Sequence, residues 1–259
     1  MQTLAAERKR QIVAIVDRER VVRVDQLAEL FQVTQETIRR DLERLADEGK
    51  VVRSHGGALS LAPSTEVSAT QRDASMIAEK VAIAVEAAKR IKPDDTMILD
   101  ASTTALYLAR IMSDMPLTVL TNSIPVCVEL STRPRIRVVC TGGLLSSPSL
   151  SFVGPRAEQI LRDYRVNRLF FSSTAIDGEH GLSDTNEMQA ALRRAMMSVS
   201  DECCLMVDRS KFGLRALTRF ASIGELTTVI TDEAIPAEQA QAIAQAGVEL
   251  VLARREGKR

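Results

Sequence analysis

The chain has 259 residues, 45% of them hydrophobic, and is long enough for one large domain or two smaller ones with apolar cores. Lys and Arg balance Asp and Glu at 34 each, which excludes a generally adhesive nucleic-acid binder but not a local basic face. The N-terminal segment lacks the apolar core of a signal peptide, and no run approaches the roughly 18 apolar residues of a membrane span, so we expect a cytoplasmic protein with no membrane partner.

Two helices are predicted near the start of the chain. Apolar residues recur at helical spacing in residues 7–18. After a brief extended piece, Asp25 is placed to cap a second helix whose Leu27, Leu30 and Phe31 face inward. A tight two-residue turn follows, as in a helix-turn-helix.

The third helix, TQETIRRDLERL at residues 34–45, is the most informative stretch of the chain. Thr34 occupies the N-cap position, and Ile38, Leu42 and Leu45 share one helical face. A helix that buries its aliphatic side and presents Thr, Gln and Arg near its N-terminus has what reading a DNA major groove requires.

A small β-ribbon is predicted after this helix. Gly49 suits a left-handed C-cap, residues 50–53 form a strand, and Gly56 and Gly57 form a turn. Residues 1–60 are therefore interpreted as a winged helix-turn-helix that binds double-stranded operator DNA. The alternative is an ordinary three-helix unit with solvated charges. Eleven Lys and Arg stand against ten Asp and Glu in this segment, so placement rather than bulk charge must supply the attraction.

The position of each side chain suggests its role on DNA. Gln35, Glu36 and Arg39 are the candidates for base edges, and the Arg39 guanidinium suits a guanine. Arg40 is a candidate for the groove or a phosphate, while Thr37 and nearby amides are placed to hold a phosphate. On the wing, Arg53 and His55 are expected to contact backbone or minor groove, although His55 is equally suited to capping the Gly-Gly turn. The predicted DNA-binding residues are Thr34, Gln35, Glu36, Thr37, Arg39, Arg40, Arg53 and His55.

Polar residues 61–75 are predicted to be a linker to a second domain, residues 76–259. A helix at 76–91 is expected to bury Ile77, Val81, Ala84, Val85 and Ala88. Continuous aliphatic runs then alternate with helical patterns, which indicates a parallel sheet covered on both faces, hence a doubly wound α/β domain. The predicted strands are 96–100, 117–121, 137–141, 168–174, 203–208 and 227–231.

Small hydroxyl residues and glycines follow several of these strands. In an open α/β sheet the carboxyl ends of the strands form the ligand crevice, and a helix N-terminus there favours an anion. Lys211 is placed to neutralise a phosphate, and Asp100, Asn122, Asp177 and Glu187 to accept hydrogen bonds from hydroxyl groups. For any single loop, an ordinary helix cap is the alternative. The predicted effector-binding residues are Asp100, Ser102, Thr103, Thr104, Thr121, Asn122, Gly142, Gly143, Asp177, Glu187 and Lys211.

No cofactor or metal is predicted. The chain contains neither GxGxxG nor GxxxxGK[ST], and its two histidines, His55 and His180, are far apart in sequence. The four cysteines, at positions 127, 140, 203 and 204, have no CxxC spacing and are expected to be small buried hydrophobic residues.

The motifs VDQLAELFQVTQETIRRDLERLADEGKVVRSHGGA, EKVAIAVEAAKRI, ILDASTTALYLA, VLTNS, CTGGLL, SDTNEM and VDRSKFG resemble those of the DeoR (GlpR-type) family of bacterial transcriptional regulators, over about residues 5–253. The resemblance implies a repressor of a carbohydrate-utilisation operon, released from DNA by a phosphorylated sugar or a related catabolic intermediate. It also implies a C-terminal domain similar to ribose-5-phosphate isomerase. Where the family often has glycine before the paired threonines, this chain has Ser102, which implies an altered phosphate pose.

Two further expectations concern assembly and catalysis. A lone winged helix contacts too little DNA for high affinity, so we expect a homo-oligomer, either a dimer or a tetramer. The alternative function is a sugar-phosphate isomerase-like enzyme with a regulatory appendage, in which Asp100, Asp177, Glu187 and Lys211 supply acid and base groups. Since no assembled catalytic constellation is apparent, we expect a protein that is not an enzyme.

Overall fold

The computed structural model describes residues 2–19, 21–54, 56–60, 69–73 and 75–254. Its N-terminal part has the helices and ribbon that the sequence predicts. In chain order the elements are α1 (Gln2–Glu19), β1 (Val21–Arg23), α2 (Val24–Phe31), α3 (Gln35–Asp47), β2 (Val51–Ser54) and β3 (Gly57–Ser60).

The N-terminal core confirms the predicted inward face of α3. Ile38, Leu42 and Leu45 are each at most 1% exposed and pack with Ile12 of α1 and Leu27 of α2. Spacings of three and four residues put these aliphatic side chains on one side of each helix. The opposite side of α3 is thereby left facing outward.

Helix α2 departs from prediction at its start and on one face. It begins at Val24, with Arg23 rather than Asp25 at the N-cap. Leu30, predicted to face inward, is 61% exposed. The buried face of this helix follows positions i, i+3 and i+4 counted from Val24, and Leu30 lies outside that stripe. The buried residues are Val24, Leu27 and Ala28.

The wing is an antiparallel sheet in the order β1–β3–β2. Gly57 lies where β1 passes close to β3, and a Cβ at this position would come within 1.8 Å of the Val22 carbonyl oxygen. Only glycine fits such an approach without moving a backbone. Gly49 has φ +65°, which confirms the left-handed position predicted just beyond α3.

The C-terminal part begins with two helices and then alternates between strands and helices. Helix α4 falls within the predicted linker, and the domain limits stay a prediction. The elements are α4 (Ala69–Asp73), α5 (Ile77–Ala88), β4 (Thr96–Leu99), α6 (Thr103–Ile111), β5 (Leu117–Thr121), α7 (Ile124–Leu130), β6 (Ile136–Cys140), β7 (Leu144–Ser146), β8 (Ser151–Val153), α8 (Pro155–Leu161), β9 (Val166–Phe171), β10 (Ala175–Asp177), β11 (Gly181–Asp184), α9 (Glu187–Ser198), β12 (Ser200–Met206), a 3-10 turn (Arg209–Lys211), β13 (Thr218–Ala221), a second 3-10 turn (Ile223–Glu225), β14 (Thr228–Asp232), α10 (Ala237–Gln245) and β15 (Glu249–Ala253).

Seven parallel strands form the central sheet, in the order β15–β14–β12–β9–β4–β5–β6. The predicted doubly wound α/β fold is confirmed, and all six predicted strands belong to this sheet. The strand order reverses between β4 and β9. The carboxyl ends of these two strands therefore form the topological switch point, where ligands of such folds bind.

Apolar cores cover both faces of the sheet because successive residues of a strand point to opposite sides. Phe170 packs in the core with Ile83 of α5 and Leu108 of α6. Phe171, the next residue of β9, packs in the other core with Leu161 of α8. Within the described ranges, no helix is both long and apolar enough to cross a membrane.

The predicted inward face of α5 is partly wrong. Ile77, Val81 and Val85 are 48%, 36% and 38% exposed. The helix instead packs against the sheet through the neighbouring stripe, because small alanines allow closer approach than branched side chains do. The buried residues of α5 are Glu79, Lys80, Ala82, Ile83, Ala84 and Ala87.

Two small antiparallel sheets lie outside the predicted strands. One pairs β7 with β8, and the other has the order β10–β11–β13. Of the cysteines, Cys203 and Cys204 are buried as expected, whereas Cys127 is half-buried and Cys140 is exposed. Cys140 ends β6, an edge strand of the main sheet, which leaves its side chain open to solvent.

Candidate functional site

Two arginines near the start of α3 lie on its outward side. The side chains of Arg39 and Arg40 are 54% and 72% exposed. Both are close to Glu36, with Arg39 Nη1 at 3.8 Å and Arg40 Nε at 3.3 Å from its carboxylate oxygens. Exposed ion pairs of this kind contribute only about 0–1 kcal/mol, so a DNA phosphate or guanine edge can replace Glu36 at low cost.

The N-terminus of α3 is held by a side-chain cap. Thr34 Oγ1 accepts a hydrogen bond from the Thr37 amide at 3.2 Å, as the sequence predicts, and lies 2.9 Å from the Thr37 hydroxyl. Gln35 Oε1 accepts a hydrogen bond from Arg39 at 3.4 Å. The structure therefore gathers six of the predicted DNA-binding residues at one end of α3: Thr34, Gln35, Glu36, Thr37, Arg39 and Arg40.

The other two predicted DNA-binding residues belong to the wing. Arg53 lies on β2, is exposed, and donates to the Gly57 carbonyl at 3.5 Å. His55 lies outside the described residues. The wing thus presents a guanidinium beside α3.

At the switch point of the sheet, Asp100 follows β4 and is 1% exposed. Its Oδ1 accepts from the Ser102 amide at 3.0 Å, and its Oδ2 from the Ser172 amide at 3.3 Å. Arg193 Nε also donates to Oδ2, at 3.2 Å, while Arg193 Nη1 donates to Asp184 at 2.5 Å. Asp100 therefore holds the loops after β4 and β9 together, and its carboxylate is engaged with protein groups.

The loop that starts α6 is polar and buried. Ser102 caps the helix by accepting from the Ala105 amide at 3.1 Å, and Thr103 and Thr104 are 8% and 3% exposed. The φ of Ser102 is −80°, an ordinary extended conformation. Serine therefore needs no backbone strain in the place where the family often has glycine. The helix N-terminus itself favours an anion.

The loop after β5 contains a buried acceptor that lacks a partner. Thr121 Oγ1 accepts from the Ser123 amide at 3.0 Å. Asn122 is 1% exposed and donates from Nδ2 to the Phe152 carbonyl at 3.0 Å, but its Oδ1 has no hydrogen-bond partner among the described residues. Since an unsatisfied buried acceptor costs about 1–3 kcal/mol, this oxygen is suited to accept from a bound molecule.

Gly142 and Gly143 shape the loop after β6. Both have positive φ, +60° and +117°, a region that L side chains rarely adopt. A Cβ on Gly143 would also lie 2.7 Å from the Val153 carbonyl oxygen. The backbone of this loop consequently approaches β8 closely at the crevice.

Sequence reasoning missed a buried lysine, Lys80, which interacts electrostatically with Lys211. Lys80 of α5 is 4% exposed and donates to the Arg72 carbonyl. Burial lowers the pKa of Lys80 to about 8; the negative charge of Asp208 opposes that shift and the positive charge of Lys211 adds to it. The positive charges of Lys211 and Arg72 and the negative charges of Asp208 and Asp73 therefore all act on this one buried ammonium group.

The sequence did contain a signal for Lys80. Positions 80, 83, 84 and 87 repeat at helical spacing, with apolar residues at the last three, so a lysine there falls on the buried stripe. Because the buried face was predicted to pass through Val81 and Val85, Lys80 was not recognised as a buried residue. Arg193 and Asp184 were also missed, because only the tertiary fold brings them to Asp100.

Two predicted effector residues lie apart from these groups. Asp177 ends β10 and accepts from the His180 amide at 2.8 Å and from Arg215 at 2.8 Å. Burial alone would raise the pKa of Asp177, but those donors hold it below its ordinary value. Asp177 lines a cavity that also reaches Arg23, away from the Asp100 network. Glu187 is the exposed first residue of α9.

Comparison with known proteins matches both parts of the chain to family models. Residues 8–64 match the DeoR-like helix-turn-helix domain, and residues 75–233 match the DeoR C terminal sensor domain. The HTH-type transcriptional regulator YulB of Bacillus subtilis (strain 168) is 46% identical over 241 residues, covering 93% of each chain. The putative aga operon transcriptional repressor of Escherichia coli O157:H7 is 36% identical over 254 residues, covering 96% of this chain and 94% of that protein. Neither relative is named as an enzyme.

A solved structure, ribose 5-phosphate isomerase A from Methanocaldococcus jannaschii, is similar at a TM-score of 0.39 with 16% sequence identity. The match covers 51% of this chain and 53% of that chain. At this level the likeness supports no conclusion about substrate or activity.

Proposed function

Because the chain belongs to the DeoR family of transcriptional regulators, we propose that it represses a carbohydrate-utilisation operon and is released from its operator by a phosphorylated sugar. The observation that carries the effector part is the buried Asn122 Oδ1 in the loop after β5, an acceptor that has no hydrogen-bond partner among the described residues. The aga relative, named as a putative operon repressor, supports the regulatory part.

On the DNA side, α3 lies in the major groove. Arg39 engages a guanine edge and Arg40 a phosphate, each leaving Glu36 to do so. Thr34 and Thr37 place the N-terminal amides of α3 against a phosphate. Arg53 on the wing contacts the backbone or the minor groove beside it.

On the effector side, the phosphate lies between the two lysines, Lys80 and Lys211, and the start of α6. The positive charges of Lys80 and Lys211 balance it, and the N-terminus of α6 after Ser102 adds a favourable dipole. Sugar hydroxyls donate to Asn122 Oδ1. This use of Asn122 accounts for a buried amide oxygen that has no hydrogen-bond partner among the described residues.

Release from DNA requires that effector binding change how two recognition helices are held, so the active particle is a homo-oligomer. A dimer places two copies of α3 on half-sites about one DNA turn apart. Sedimentation of the full chain tests this point. A monomer that binds the operator with full affinity would contradict it.

The DNA function is tested with sequences that the full-length protein selects from a random double-stranded pool. Arg39→Ala is expected to weaken binding to the selected DNA by about 1–3 kcal/mol, the discrimination of one bidentate guanine contact. Arg10→Ala is the control, since Arg10 is an exposed arginine of α1 that pairs with Glu7. Equal affinity of Arg39→Ala and wild type would reject the assigned role of α3.

The effector function is tested by measuring that DNA complex in the presence of pentose and hexose phosphates. The corresponding unphosphorylated sugars and inorganic phosphate serve as comparisons. Dissociation by a sugar phosphate alone is the expected result. A reporter gene behind the selected site distinguishes repression from activation, and higher expression with the regulator than without it would contradict repression.

A further inference from the structure

We propose, on the basis of the proposed function, that Arg23 couples the effector crevice to the DNA-binding domain. Its guanidinium group contacts the turn segment, residues 208–213, which includes Lys211, and moves when that segment moves. The coupling is a hydrogen-bonded contact between β1 of the DNA-binding domain and the loop that follows β12. It adds to the proposed function a specific route by which effector binding reaches α3.

Arg23 is bonded to both domains at once. Its Nη1 donates to the carbonyl of Arg209 at 2.8 Å and to the carbonyl of Phe212 at 3.1 Å. Its Nε donates to Asp25 in the first turn of α2 at 3.1 Å. The side chain is only 16% exposed, and its planar guanidinium group is held by hydrogen bonds to both domains.

The turn segment follows β12 and so lies at the carboxyl edge of the central sheet, where the effector site is proposed. It starts at Asp208, which is 3% exposed and caps the 3-10 turn by accepting from the Ser210 amide at 2.9 Å. Lys211 lies between the two carbonyls that Arg23 contacts and interacts electrostatically with Lys80. In so short a turn, an anion that draws Lys211 inward also moves those carbonyls.

Displacement of Arg23 is passed directly to the helix-turn-helix. Arg23 is the N-cap of α2, and the amide of the next residue, Val24, donates to the Gly56 carbonyl at 2.9 Å. Leu27 of α2 packs in the same core as Ile38 of α3. Because this core is close-packed, a shift at the start of α2 is transmitted to α3 and the wing.

The junction has room for such a shift. A cavity of about 460 Å³ borders the contact and is lined by Arg23, Gly56, Phe212, Gly213 and residues of α10. At its wall, Gln239 Oε1 is buried and has no hydrogen-bond partner in the part of the chain that the structure describes. Hydrogen bonds that border open space, as those of Arg23 do here, can be rearranged more readily than a close-packed apolar contact.

The test is hydrogen exchange of the full-length protein, with and without the DNA selected from the random pool. Because coupling between two sites is reciprocal, DNA binding at α3 must also change the conformational stability of the turn segment. In wild type we expect DNA to change amide exchange in residues 208–213 by about fivefold or more, the lower end of typical coupling. Arg23→Ala is expected to bind DNA but to lose this change, while the control Arg10→Ala retains it.

A second variant perturbs the contact from the sensor side. Gly213 has φ +70°, so Gly213→Ala strains the turn segment next to the Phe212 carbonyl. Gly247→Ala is its match, because Gly247 has φ +73° between α10 and β15, and among the described atoms an added Cβ there meets nothing within 4 Å, as at Gly213. Loss of the exchange response in Gly213→Ala but not in Gly247→Ala supports the coupling.

Two results would overturn the proposal. One is DNA-bound wild type with unchanged exchange at 208–213, and the other is a full response in Arg23→Ala. Failure of wild type to select any DNA is a separate outcome, which rejects the proposed function itself together with the coupling.

Discussion

At the scale of single residues, the charge of Lys80 depends strongly on its surroundings. Burial and the positive charge of Lys211 lower the pKa of Lys80 to about 8, although the negative charge of Asp208 raises it. A bound phosphate stabilises the protonated form and raises this pKa again. Anion binding near pH 8 is therefore accompanied by proton uptake, and it weakens as pH rises and the unliganded Lys80 loses its charge.

The affinity for the sugar phosphate identified by DNA release is expected to fall above pH 8, by at most about tenfold per pH unit. Lys80→Met should weaken binding and flatten this dependence. Lys89→Met, which removes an exposed lysine of the same region paired with Glu86, should leave both unchanged. Calorimetric titrations between pH 7 and 9.5 measure the effect, and an unaltered pH profile in Lys80→Met would exclude Lys80 from the site.

Asp100 has a structural role that is separable from binding. Asp100→Asn keeps the shape but removes the charge facing Arg193, which also pairs with Asp184. We expect a loss of about 1–3 kcal/mol in the free energy of unfolding, measured with urea. Asp201→Asn, at an exposed pair with Arg165, should change it by less than about 1 kcal/mol.

At the scale of elements, α3 could be predicted nearly residue by residue because its signals are local. Its cap, its period of 3.6 and its terminal glycine all act within a turn or two of the chain. The face of α5 was misjudged because alanines and branched residues alternate all round it, and only the sheet beneath decides which stripe is buried.

The position of Asp177 depends on tertiary structure in a different way. It ends β10, a three-residue strand of a small antiparallel sheet rather than of the main parallel sheet. Strands of three or four residues are too short to show a period of two. The rule that strand ends meet at one crevice therefore did not apply to Asp177, and the sequence contained no signal of that exception.

The N-cap of α3 offers a test at this scale. Thr34→Ala removes the acceptor of the Thr37 amide and is expected to cost about 1 kcal/mol of stability. DNA affinity should also fall, because the start of α3 frays where it approaches phosphate. Thr34→Ser preserves the acceptor and should restore both. Thermal unfolding and DNA titration of the full chain measure the two effects.

At the scale of the whole molecule, the absence of net charge shapes DNA binding. A chain with 34 charges of each sign gains little from long-range attraction. In the proposed DNA-binding mode, affinity then depends on the guanidinium groups of α3 and the wing. Discrimination between operator and random DNA should consequently be high for the number of contacts made.

Salt titrations of the selected DNA complex separate the two arginines of α3. Arg40→Ala is expected to lower the slope of log affinity against log salt by about 1 and to weaken all sequences equally. Arg39→Ala should instead relax the preference at one base pair. A changed base preference in Arg40→Ala would exchange the two assignments.

The unpartnered Oδ1 of Asn122 has a consequence for chemical selectivity. A ligand without a hydroxyl donor at this position would bind with lower affinity, because the buried Asn122 Oδ1 would remain without a hydrogen bond in the complex. Deoxy analogues of the inducing sugar phosphate should thus be rejected more strongly than analogues with an added group elsewhere. This one amide oxygen would thus let the regulator distinguish a sugar phosphate from a more reduced intermediate in which the same carbon atom has lost its hydroxyl group.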